Sequence, residues 1–536
     1  MPSAIFLLVP PLLYLAYRIT HFALSTLRPP NFPPGPPVLP LLGHIHLLPF
    51  SKSFLTFAKW SRQYGPILGL KFGPLNVVVL STPSQVRHLF QLHSATYSAR
   101  PYMAIPCDYV FTSEWSHHPG FMSIPFQRAQ QKACHHHLSS AGLAQLVPIQ
   151  RTYATILLGE LATHPFEECF HRWTLGVACA LISGTRLAKL GHNWAAEYHN
   201  TQKKLLELLE PGGVAPPIDI FPFLAWIPER WAVWKRKARG VRTGVMGTYQ
   251  ALFENAKRGV EAQVFGGKYE PLLARLLRER SEGKGEFTER DIALIGGGLL
   301  DGASHTTVGT ALYLVQALAA HPEAQRRAQA EVDGVFGREH WPSEDFVFQE
   351  EQFPYLRACV LEVLRWRPTA PNGVPRECVA DAENVFGYRI PKGTMIMFNV
   401  WAIHHNPDEY DEPEEYIPER WLGNRLGTKH APEMVGQGGE LSWRKPSYTF
   451  GAGRRSCQGE QFAVNSIHIT FVLILWAFDI VPEGELDLSV ETGMHEGAAI
   501  SPNPFKVRFV PRSDKVLREI EKQHSKAVQT LAELLP

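Results

Sequence analysis

The spacing of apolar and polar positions along the chain predicts a mainly helical protein with a minor β part. Residues 76–80, NVVVL, are typical of a strand, and helical periodicity dominates from about residue 130 onward. Thr288 and Asp291 have the spacing of a capping box. They precede a long helix that we expect to run from about Glu289 to Ala320 and to end before His321.

Two more helices are predicted after the long one. The first begins at Pro322 and ends at a glycine, Gly334 or Gly337, because proline favours the first helical turn and glycine favours the end. The second covers about Glu351 to Trp366, and residues 388–400 then have the pattern of a turn and a strand. No break in the pattern divides the main body of the chain into domains.

The N-terminus begins with an apolar segment of 14 residues without a charge, Ala4 to Tyr17. Extended to Leu24, this segment is long enough to cross a bilayer as a helix. Basic residues follow it at Arg18 and Arg28, which places the downstream body on the cytosolic side. We therefore expect a membrane anchor over residues 1–28, and a cleaved signal peptide is the alternative.

The anchor is followed by a proline-rich spacer over residues 29–40. Six of the nine residues 29–37 are proline, so this stretch is stiff and extended. It acts either as a plain linker or as a rigid spacer that sets how the body lies against a membrane. The body then covers residues 41–512, and residues 513–536 form a charged amphipathic tail to which the sequence assigns no function.

Composition and charge narrow the class of protein. The 536 residues are 45% hydrophobic and 19% charged, which is typical of a globular protein. A net charge of +2 argues against a nucleic-acid-binding protein. The 7 cysteines form no CxxC pair, so they indicate neither a disulfide framework nor a zinc module, and reduced thiols are the simpler interpretation.

The segment FGAGRRSCQG carries the strongest chemical signal in the chain. It fits the pattern F-x-x-G-x-R-x-C-x-G through five residues, Phe450, Gly453, Arg455, Cys457 and Gly459. This segment resembles the haem-thiolate loop of the cytochrome P450 monooxygenases. The resemblance extends over about residues 29–512 and is sharpest from residue 289 onward. It implies a cytochrome P450 fold, with one large haem domain over residues 41–512.

The resemblance implies a role for each residue of the loop. Cys457 would be the axial thiolate ligand of the iron of haem b. Gly453 permits a tight turn, and Gly459 lets the following helix approach the porphyrin. Arg455 would bind a haem propionate through charge-assisted hydrogen bonds, and Phe450 would shield the sulfur from water.

Three arginines belong to further family-like motifs. Glu362 and Arg365 are three residues apart on a helix, and the family pairs them with a later arginine, here Arg420, in a buried structural triad. Arg376 resembles a second propionate-binding arginine, five residues before Asp381. The alternative for Arg376 is an ordinary surface arginine.

The long helix carries LLDGASHTT, residues 299–307, which resembles the oxygen-binding segment of the family. Gly302 and Ala303 would leave room for O₂ above the iron. The hydroxyl of Thr306 would donate to bound dioxygen and help to deliver protons. The alternative for Thr306 is a plain helix threonine that donates to a backbone carbonyl.

The chain departs from the family pattern at His305, where an aspartate or glutamate is usual. An imidazole titrates near pH ~6.5 and relays protons, so a proton path can survive with altered properties. Asp301, four residues earlier, would orient that imidazole. The alternatives are that His305 contacts substrate or that proton delivery is changed.

A second departure lies in residues 125–138, PFQRAQQKACHHHL. Phe126, Gln127 and Gln130 replace the tryptophan and two arginines with which the family holds a propionate. Arg128 or Lys132 would substitute for them from a neighbouring helical turn. The three adjacent histidines that follow are not expected to bind metal, because neighbouring side chains on a helix point in different directions.

Residues 216–240 combine aromatic and basic side chains. Trp226, Trp231 and Trp234 lie beside Lys235 and further basic residues, which is typical of a membrane interface. A packed helix pair with a basic outer face is the alternative.

The resemblance implies a monooxygenase that inserts one oxygen atom from O₂ into a small lipophilic or aromatic substrate. Electrons would come from NADPH-cytochrome P450 reductase, with cytochrome b5 as a further candidate partner. The enzyme would be a single-pass protein of the endoplasmic reticulum membrane that faces the cytosol, in fungal secondary metabolism. Desaturation, oxidative coupling or a redox-neutral rearrangement on the same scaffold is the alternative, followed by haem binding without turnover.

The substrate itself is not encoded in a recognisable motif. Four segments are expected to line its pocket, Tyr102–Phe121, Leu299–Ala303, Pro371–Val374 and Gly497–Ile500. They are mostly apolar and aromatic, which fits a lipophilic molecule.

Overall fold

The structure is a computed structural model. It describes residues 2–49, 51–112, 118, 120, 124–191, 193–209, 215–265, 269–342, 350–430, 432–436, 438–495, 497 and 499–535. Part of the predicted pocket lining lies outside the described residues, at positions 113–117, 119, 121 and 498. Most of the predicted functional positions lie inside them.

The described part of the chain is mainly helical, as the sequence pattern predicts. Its α-helices are α1 (Pro2–Ser25), α2 (Ser53–Tyr64), α3 (Pro83–Arg87), α4 (Ile124–Leu138), α5 (Ser140–Leu161), α6 (Phe166–Ser183), α7 (Trp194–Leu209), α8 (Val233–Glu261), α9 (Leu272–Ser281), α10 (Glu289–Ala320), α11 (Pro322–Phe336), α12 (Pro354–Trp366), α13 (Val400–His404), α14 (Pro432–Val435), α15 (Glu460–Ala477) and α16 (Asp514–Leu534).

In the part of the chain that the structure describes, eight short strands form three small sheets. They are β1 (Ile67–Phe72), β2 (Leu75–Leu80), β3 (Arg376–Glu377), β4 (Ala382–Val385), β5 (Tyr388–Ile390), β6 (Met395–Phe398), β7 (Phe478–Pro482) and β8 (Val507–Pro511). The four-stranded sheet has the order β1-β2-β6-β3, and β4-β5 and β7-β8 are antiparallel pairs. In the larger sheet β2 and β6 are parallel, with Val77 opposite Met395.

The predicted long helix is confirmed at both ends. Helix α10 covers Glu289–Ala320, and its capping box is formed. The Asp291 N–H donates to Thr288 Oγ1 at 3.1 Å, and the Thr288 N–H donates to Asp291 Oδ2 at 2.9 Å. Helix α11 begins at Pro322, as predicted, and ends before Gly337.

The start of α12 differs from the prediction. The helix begins at Pro354 rather than at Glu351, and residues Glu350–Gln352 form a separate 3₁₀ turn. Proline lacks an amide hydrogen and suits the first helical turn, where an N–H would have no intrahelical partner, so Pro354 sets the boundary. The strand predicted at residues 76–80 is confirmed as the greater part of β2.

Helix α10 runs through the centre of the protein. It contacts α6, α8, α9, α12 and α15, and most of its apolar side chains belong to the largest hydrophobic cluster. Its buried residues continue on both sides of Gly302, which is exposed. The middle of this core helix therefore borders an internal space.

The proline-rich stretch is docked on the body rather than free. The Gly69 N–H of β1 donates to the Pro34 carbonyl at 2.7 Å, and His44 Nε2 lies 2.8 Å from the Pro36 carbonyl. Phe32 is buried within the same cluster as β2 and β6 residues. The proline-rich stretch is therefore held against the folded body.

Two helices near the C-terminus serve packing. Among the described residues, α15 is the helix long and apolar enough to cross a membrane, but 72% of it is buried inside the protein, which makes it a core helix. Helix α16, the predicted tail, is amphipathic and packs along α5. A Cβ on Gly159 of α5 would lie 2.4 Å from the ring of His524, so the two helices touch closely.

Candidate active site

The FGAGRRSCQG loop is closed by its own backbone. The Cys457 N–H donates to the Phe450 carbonyl at 2.8 Å, and the Ser456 N–H donates to the Gly453 carbonyl at 3.0 Å. Gly453 has a φ of +65°, and a Cβ there would lie 1.8 Å from the Phe90 carbonyl oxygen. Glycine is thus required at this position both for the backbone conformation and for the close approach to Phe90.

Cys457 is placed for metal binding. It is surrounded by protein on nearly every side, yet its side chain is accessible, whereas the other six cysteines are buried. It precedes the N-terminus of α15 by three residues, where the helix dipole favours negative charge. Burial raises the pKa of the Cys457 thiol, and a hydrogen bond from the Gly459 N–H opposes this rise. A bound metal cation would favour the thiolate further.

Three arginines converge beside the loop. Arg376 Nη2 donates to the Ala452 carbonyl, and Arg455 Nε donates to the Ser98 carbonyl at 3.0 Å. Arg100, which sequence reasoning missed, donates from Nη1 to the carbonyl of Pro375 at 2.6 Å. No spacing rule in the sequence indicates Arg100, because its role depends on the tertiary contact with the strand that holds Arg376.

Arg376 is buried, and Arg100 and Arg455 are partly buried. Burial lowers the pKa of Arg376 to about 9 and that of Arg455 to about 10, and it lowers the pKa of Arg100 well below its ordinary value. Arg376 Nε and Nη1 and Arg100 Nε have no hydrogen-bond partner within the described residues. A buried cation is energetically costly unless an anion lies beside it. Two carboxylates of a bound cofactor would satisfy these arginines.

Helix α4 corrects the expectation for Arg128. Arg128 and Lys132 lie on the exposed face of the helix, whereas Gln127 and Gln130 are buried. The reason is the helical repeat, because neighbouring residues are rotated by about 100° and face different surroundings. Gln127 Nε2 instead donates to the Arg454 carbonyl at 2.6 Å, so this helix supports the loop through its backbone.

The adjacent histidines of α4 have different surroundings. His135 and His136 are exposed, and His137 Nε2 lies 2.8 Å from the Glu270 carbonyl. Across the described ranges, no group of three or more His, Cys, Asp or Glu side chains is arranged to hold a metal ion. A metal held by a single cysteine needs no such group.

The middle of α10 is open on one side. Gly302 has no heavy atom within 4 Å of the position of a Cβ, and Ala303 and Thr306 are partly exposed. The Thr306 hydroxyl donates to the Gly302 carbonyl at 2.7 Å. The lone pairs of Thr306 Oγ1 are not used by this hydrogen bond, so the hydroxyl can still accept one from another group.

Asp301 does not orient His305. Its carboxylate accepts hydrogen bonds from the Tyr198 hydroxyl at 3.2 Å, from Gln202 Nε2 at 2.5 Å and from the Tyr249 hydroxyl. These donors come from α7 and α8 and hold the carboxylate away from the imidazole, although the two residues are one helical turn apart. Asp301 therefore links α10 to α7 and α8.

His305 points toward α7 instead. Its ring centroid lies 6.1 Å from that of His199, with the planes at 74°. Burial lowers the pKa of His305 to about 4, and the nearby His495 adds to the decrease. At neutral pH the imidazole is thus uncharged, unlike the carboxylate that the family usually has at this position.

The predicted triad is formed in the core. Arg365 contacts Glu362 through two hydrogen bonds of 2.7 and 2.9 Å, and Arg420 Nε donates to Glu362 Oε1 at 3.1 Å. Trp421 Nε1 donates to the second carboxylate oxygen at 2.8 Å. The Thr449 hydroxyl donates to the carbonyl next to Arg365 at 2.9 Å, so the triad is connected to the cysteine loop.

The residues present fit a haem. An accessible thiol lies at a helix N-terminus, and the core helix α10 is open at Gly302. Next to the cysteine loop, Arg376 Nε and Nη1 and Arg100 Nε have no hydrogen-bond partner in the described part of the chain. A planar group with a metal at its centre and two carboxylates at its edge matches these features.

Comparisons with known proteins agree with this geometry. The family model described as Cytochrome P450 matches residues 33–509. The chain is 34% identical to "Cytochrome P450 monooxygenase grgG" of a Penicillium species, over 98% of this chain and 96% of the relative. It is 29% identical to "Cytochrome P450 monooxygenase yanC" of Aspergillus niger, over 94% of each chain.

Solved structures show the same fold. A zebrafish cytochrome P450 with abiraterone superposes with a TM-score of 0.68 at 23% identity, covering 87% of this chain and 99% of the other. A zebrafish cytochrome P450 with progesterone gives a TM-score of 0.69 at 22% identity, covering 85% of this chain and 99% of the other. The expected fold class is confirmed, and the chain belongs to the cytochrome P450 family of haem-thiolate monooxygenases.

Proposed function

We propose that this protein inserts one oxygen atom from O₂ into a small lipophilic or aromatic substrate, with electrons delivered from NADPH by cytochrome P450 reductase. The observation that supports this most strongly is Cys457, an accessible thiol whose loop lies beside the buried Arg376, and Nε and Nη1 of that arginine have no hydrogen-bond partner within the described residues. Haem bound there would supply dioxygen activation, because an axial thiolate donates electron density that favours O–O cleavage.

The loop would hold the iron through Cys457 alone. The Phe450 carbonyl and the Gly459 N–H fix the two sides of the cysteine, and α15 adds the positive end of its dipole. Gly459 lies next to the sulfur, since a Cβ there would be in van der Waals contact with Sγ at 3.9 Å. Phe450 packs against the core and would limit the access of water.

Arg100, Arg376 and Arg455 would hold the propionates. They replace the tryptophan and arginine that the family usually places on the helix equivalent to α4. Each side chain is already fixed by a backbone carbonyl, so little side-chain entropy is lost when an anion binds.

The dioxygen side would be formed by α10. Gly302 and Ala303 leave space, and Thr306 presents a hydroxyl at the same opening. The loop between β7 and β8, called the C-terminal loop below, borders this region, because the Ile500 carbonyl lies 3.4 Å from the position of a Cβ on Gly309. Substrate would occupy the space between these two elements, lined largely by apolar side chains.

The N-terminal helix and a nearby aromatic patch would attach the enzyme to the endoplasmic reticulum membrane, facing the cytosol. Phe22 of α1 contacts Phe221 with a ring-centroid distance of 6.0 Å. Beyond this contact Trp226 and Trp231 are 83% and 68% exposed, whereas Trp234 is buried. Exposed tryptophans beside arginines suit the bilayer interface.

Fungal relatives named as monooxygenases support a role in secondary metabolism, with the reductase and cytochrome b5 as candidate electron donors. Incubation of the purified holoenzyme and reductase with isotopically labelled dioxygen, NADPH and an extract of lipophilic metabolites tests the proposal. A product that carries one labelled oxygen atom supports it. A product with two hydrogens removed and no label, or an isomer of the substrate, would contradict oxygen insertion and favour desaturation or rearrangement.

A further inference from the structure

Three histidines from three helices meet beside the opening in α10. They are His171 on α6, His199 on α7 and His305 on α10. His199 Nε2 and His171 Nδ1 are hydrogen-bonded, and the His199 and His305 rings are 6.1 Å apart, edge to face. His171 and His199 have no part in the roles assigned above.

The surroundings keep these imidazoles uncharged. Burial lowers the pKa of His199 and of His305 to about 4, and it lowers the pKa of His171 well below its ordinary value. The charged or titratable neighbour that faces His305 from the C-terminal loop is His495. The Asp301 carboxylate, one turn earlier on α10, is held by Tyr198, Gln202 and Tyr249 as described above.

A neutral imidazole has one ring nitrogen that donates and one that accepts. A row of such rings passes a proton along when each accepts at one nitrogen and releases from the other, and no ring stays charged afterwards. His199 Nδ1 and His305 Nδ1 are buried, and neither has a hydrogen-bond partner in the described part of the chain. Both nitrogens are thus available for transfer.

We propose that His171 and His199 supply protons to His305, so that a histidine chain replaces the carboxylate that usually serves this position. The inference rests on the proposed monooxygenase function. Thr306, the next residue on α10, is the last group in the path, and its hydroxyl lies at the opening beside Gly302. His171 and His199 are positioning and proton-carrying residues, since neither touches the reacting atoms.

The proton balance of the reaction shows why the histidine chain would be needed. Insertion of one oxygen atom consumes two electrons and two protons, and the second oxygen atom leaves as water. The electrons come from NADPH through the reductase, and the protons come from solvent. When protons arrive too slowly, the reduced oxygen leaves as hydrogen peroxide, so peroxide released per NADPH reports on proton delivery.

The test compares His199→Gln and His171→Gln with the wild-type holoenzyme and with His164→Gln. His164 is exposed and precedes α6, so it is a matched histidine that does not belong to the proposed histidine chain. The assay uses reductase, NADPH and 7-ethoxycoumarin as a lipophilic probe. We expect His199→Gln and His171→Gln to release several-fold more hydrogen peroxide per NADPH than the wild type. The control should match the wild type. The ratio is defined whether or not the probe is oxidised.

A second readout does not depend on turnover. The imidazole titrations of the holoenzyme, followed by histidine hydrogen exchange and mass spectrometry, should show a higher pKa for His199 in His305→Gln than in the wild type. The reason is that His305→Gln removes a group whose protonation opposes that of its neighbour. An unchanged His199 pKa would show that the rings are not coupled.

The outcomes separate this inference from the proposed function. A wild type that shows no thiolate spectrum with carbon monoxide and no NADPH-dependent oxygen reduction would overturn the proposed function itself. A working wild type whose peroxide ratio is unchanged by His199→Gln, with that variant folded and loaded with haem, would overturn the histidine chain alone.

Discussion

Glu362 and Arg365 form an ion pair of 2.7 Å in which both side chains are completely buried. Every polar atom of the Glu362 carboxylate has a partner, since Arg420, Trp421 and the Ile417 N–H also donate to it. Arg365 donates in addition to the carbonyls of His404, Pro413 and Glu415. The pair therefore holds together segments that are about fifty residues apart in sequence.

The first prediction concerns this pair. Glu362→Ala leaves two buried arginines without their shared carboxylate, and it should destabilise the fold by about 3–5 kcal/mol. We expect the loss of folded, haem-loaded protein rather than slow turnover. The measurement is the yield of holoprotein and the thermal midpoint of what remains.

The control is a pair of the same spacing on the surface. Glu323 and Arg326 are also three residues apart on a helix, but their side chains are 72% and 64% exposed. Glu323→Ala should leave the thermal midpoint nearly unchanged, because exposed ion pairs contribute little. Full haem loading of Glu362→Ala would contradict the structural role of the triad.

The second prediction concerns Gly453. Gly453→Ala places a Cβ 1.8 Å from the Phe90 carbonyl at a φ of +65°, so the loop must move and haem binding should be lost. Gly393 has a φ of +78° with no atom near the position of a Cβ. Gly393→Ala should therefore show only the backbone strain of about 1–2 kcal/mol and retain haem. The haem-to-protein absorbance ratio of the two variants separates the clash from the strain.

The third prediction concerns Arg100. Arg100→Leu removes one of three neighbouring positive charges, and the charges of Arg376 and Arg455 add to the burial that lowers the pKa of Arg100. In the haem-free protein the repulsion is relieved, so this variant should be more stable than the wild type. In the haem-bound protein it should lose cofactor faster, because a propionate loses its partner. Arg128→Leu, on the exposed face of α4, is the control and should change neither quantity. Slower haem loss from Arg100→Leu would rule out its contact with a propionate.

The fourth prediction concerns pH and stability. The folded-state pKa of His199 is about 4, against about 6.5 for the unfolded chain. Between these values the unfolded state binds a proton that the folded state does not, so this group makes the protein less stable as the pH falls from ~6.5 to ~4. Its share is at most about 1.4 kcal/mol per pH unit.

His199→Gln should therefore flatten the dependence of the urea midpoint on pH in that range. Above pH ~6.5 the midpoints of the variant and the wild type should run parallel. His164→Gln, at an exposed position, should leave the slope as it is in the wild type. A steeper slope in His199→Gln would show that the imidazole is protonated in the folded protein.

Local signals in the sequence predicted the elements that depend on nearby residues. The capping box at Thr288 and the Ala320–His321–Pro322 junction fix both ends of α10, because caps and prolines act within one helical turn. The cysteine loop also depends on nearby residues, since the backbone hydrogen bonds that close it join residues within 450–457.

Tertiary contacts decided what the sequence could not show. Asp301 has the right spacing to meet His305, but donors from α7 and α8 take its carboxylate. Arg128 is next to Gln127 in sequence, and the helical repeat turns it to the surface. Arg100 meets the Pro375 carbonyl from a distant part of the chain, and His199 meets His171 and His305 from two other helices, so no spacing rule could have found them.

The most direct test of the central claim is the carbon monoxide spectrum of the reduced full-length protein and its Cys457→Ala variant. With Cys457 as the thiolate ligand, the wild type should absorb at about 450 nm and Cys457→Ala should lose that band. Cys134→Ala, at a buried cysteine of α4, should keep it. A Cys457→Ala protein that retains the band, or a wild type that lacks it while loaded with haem, would contradict the assignment of Cys457 as the ligand.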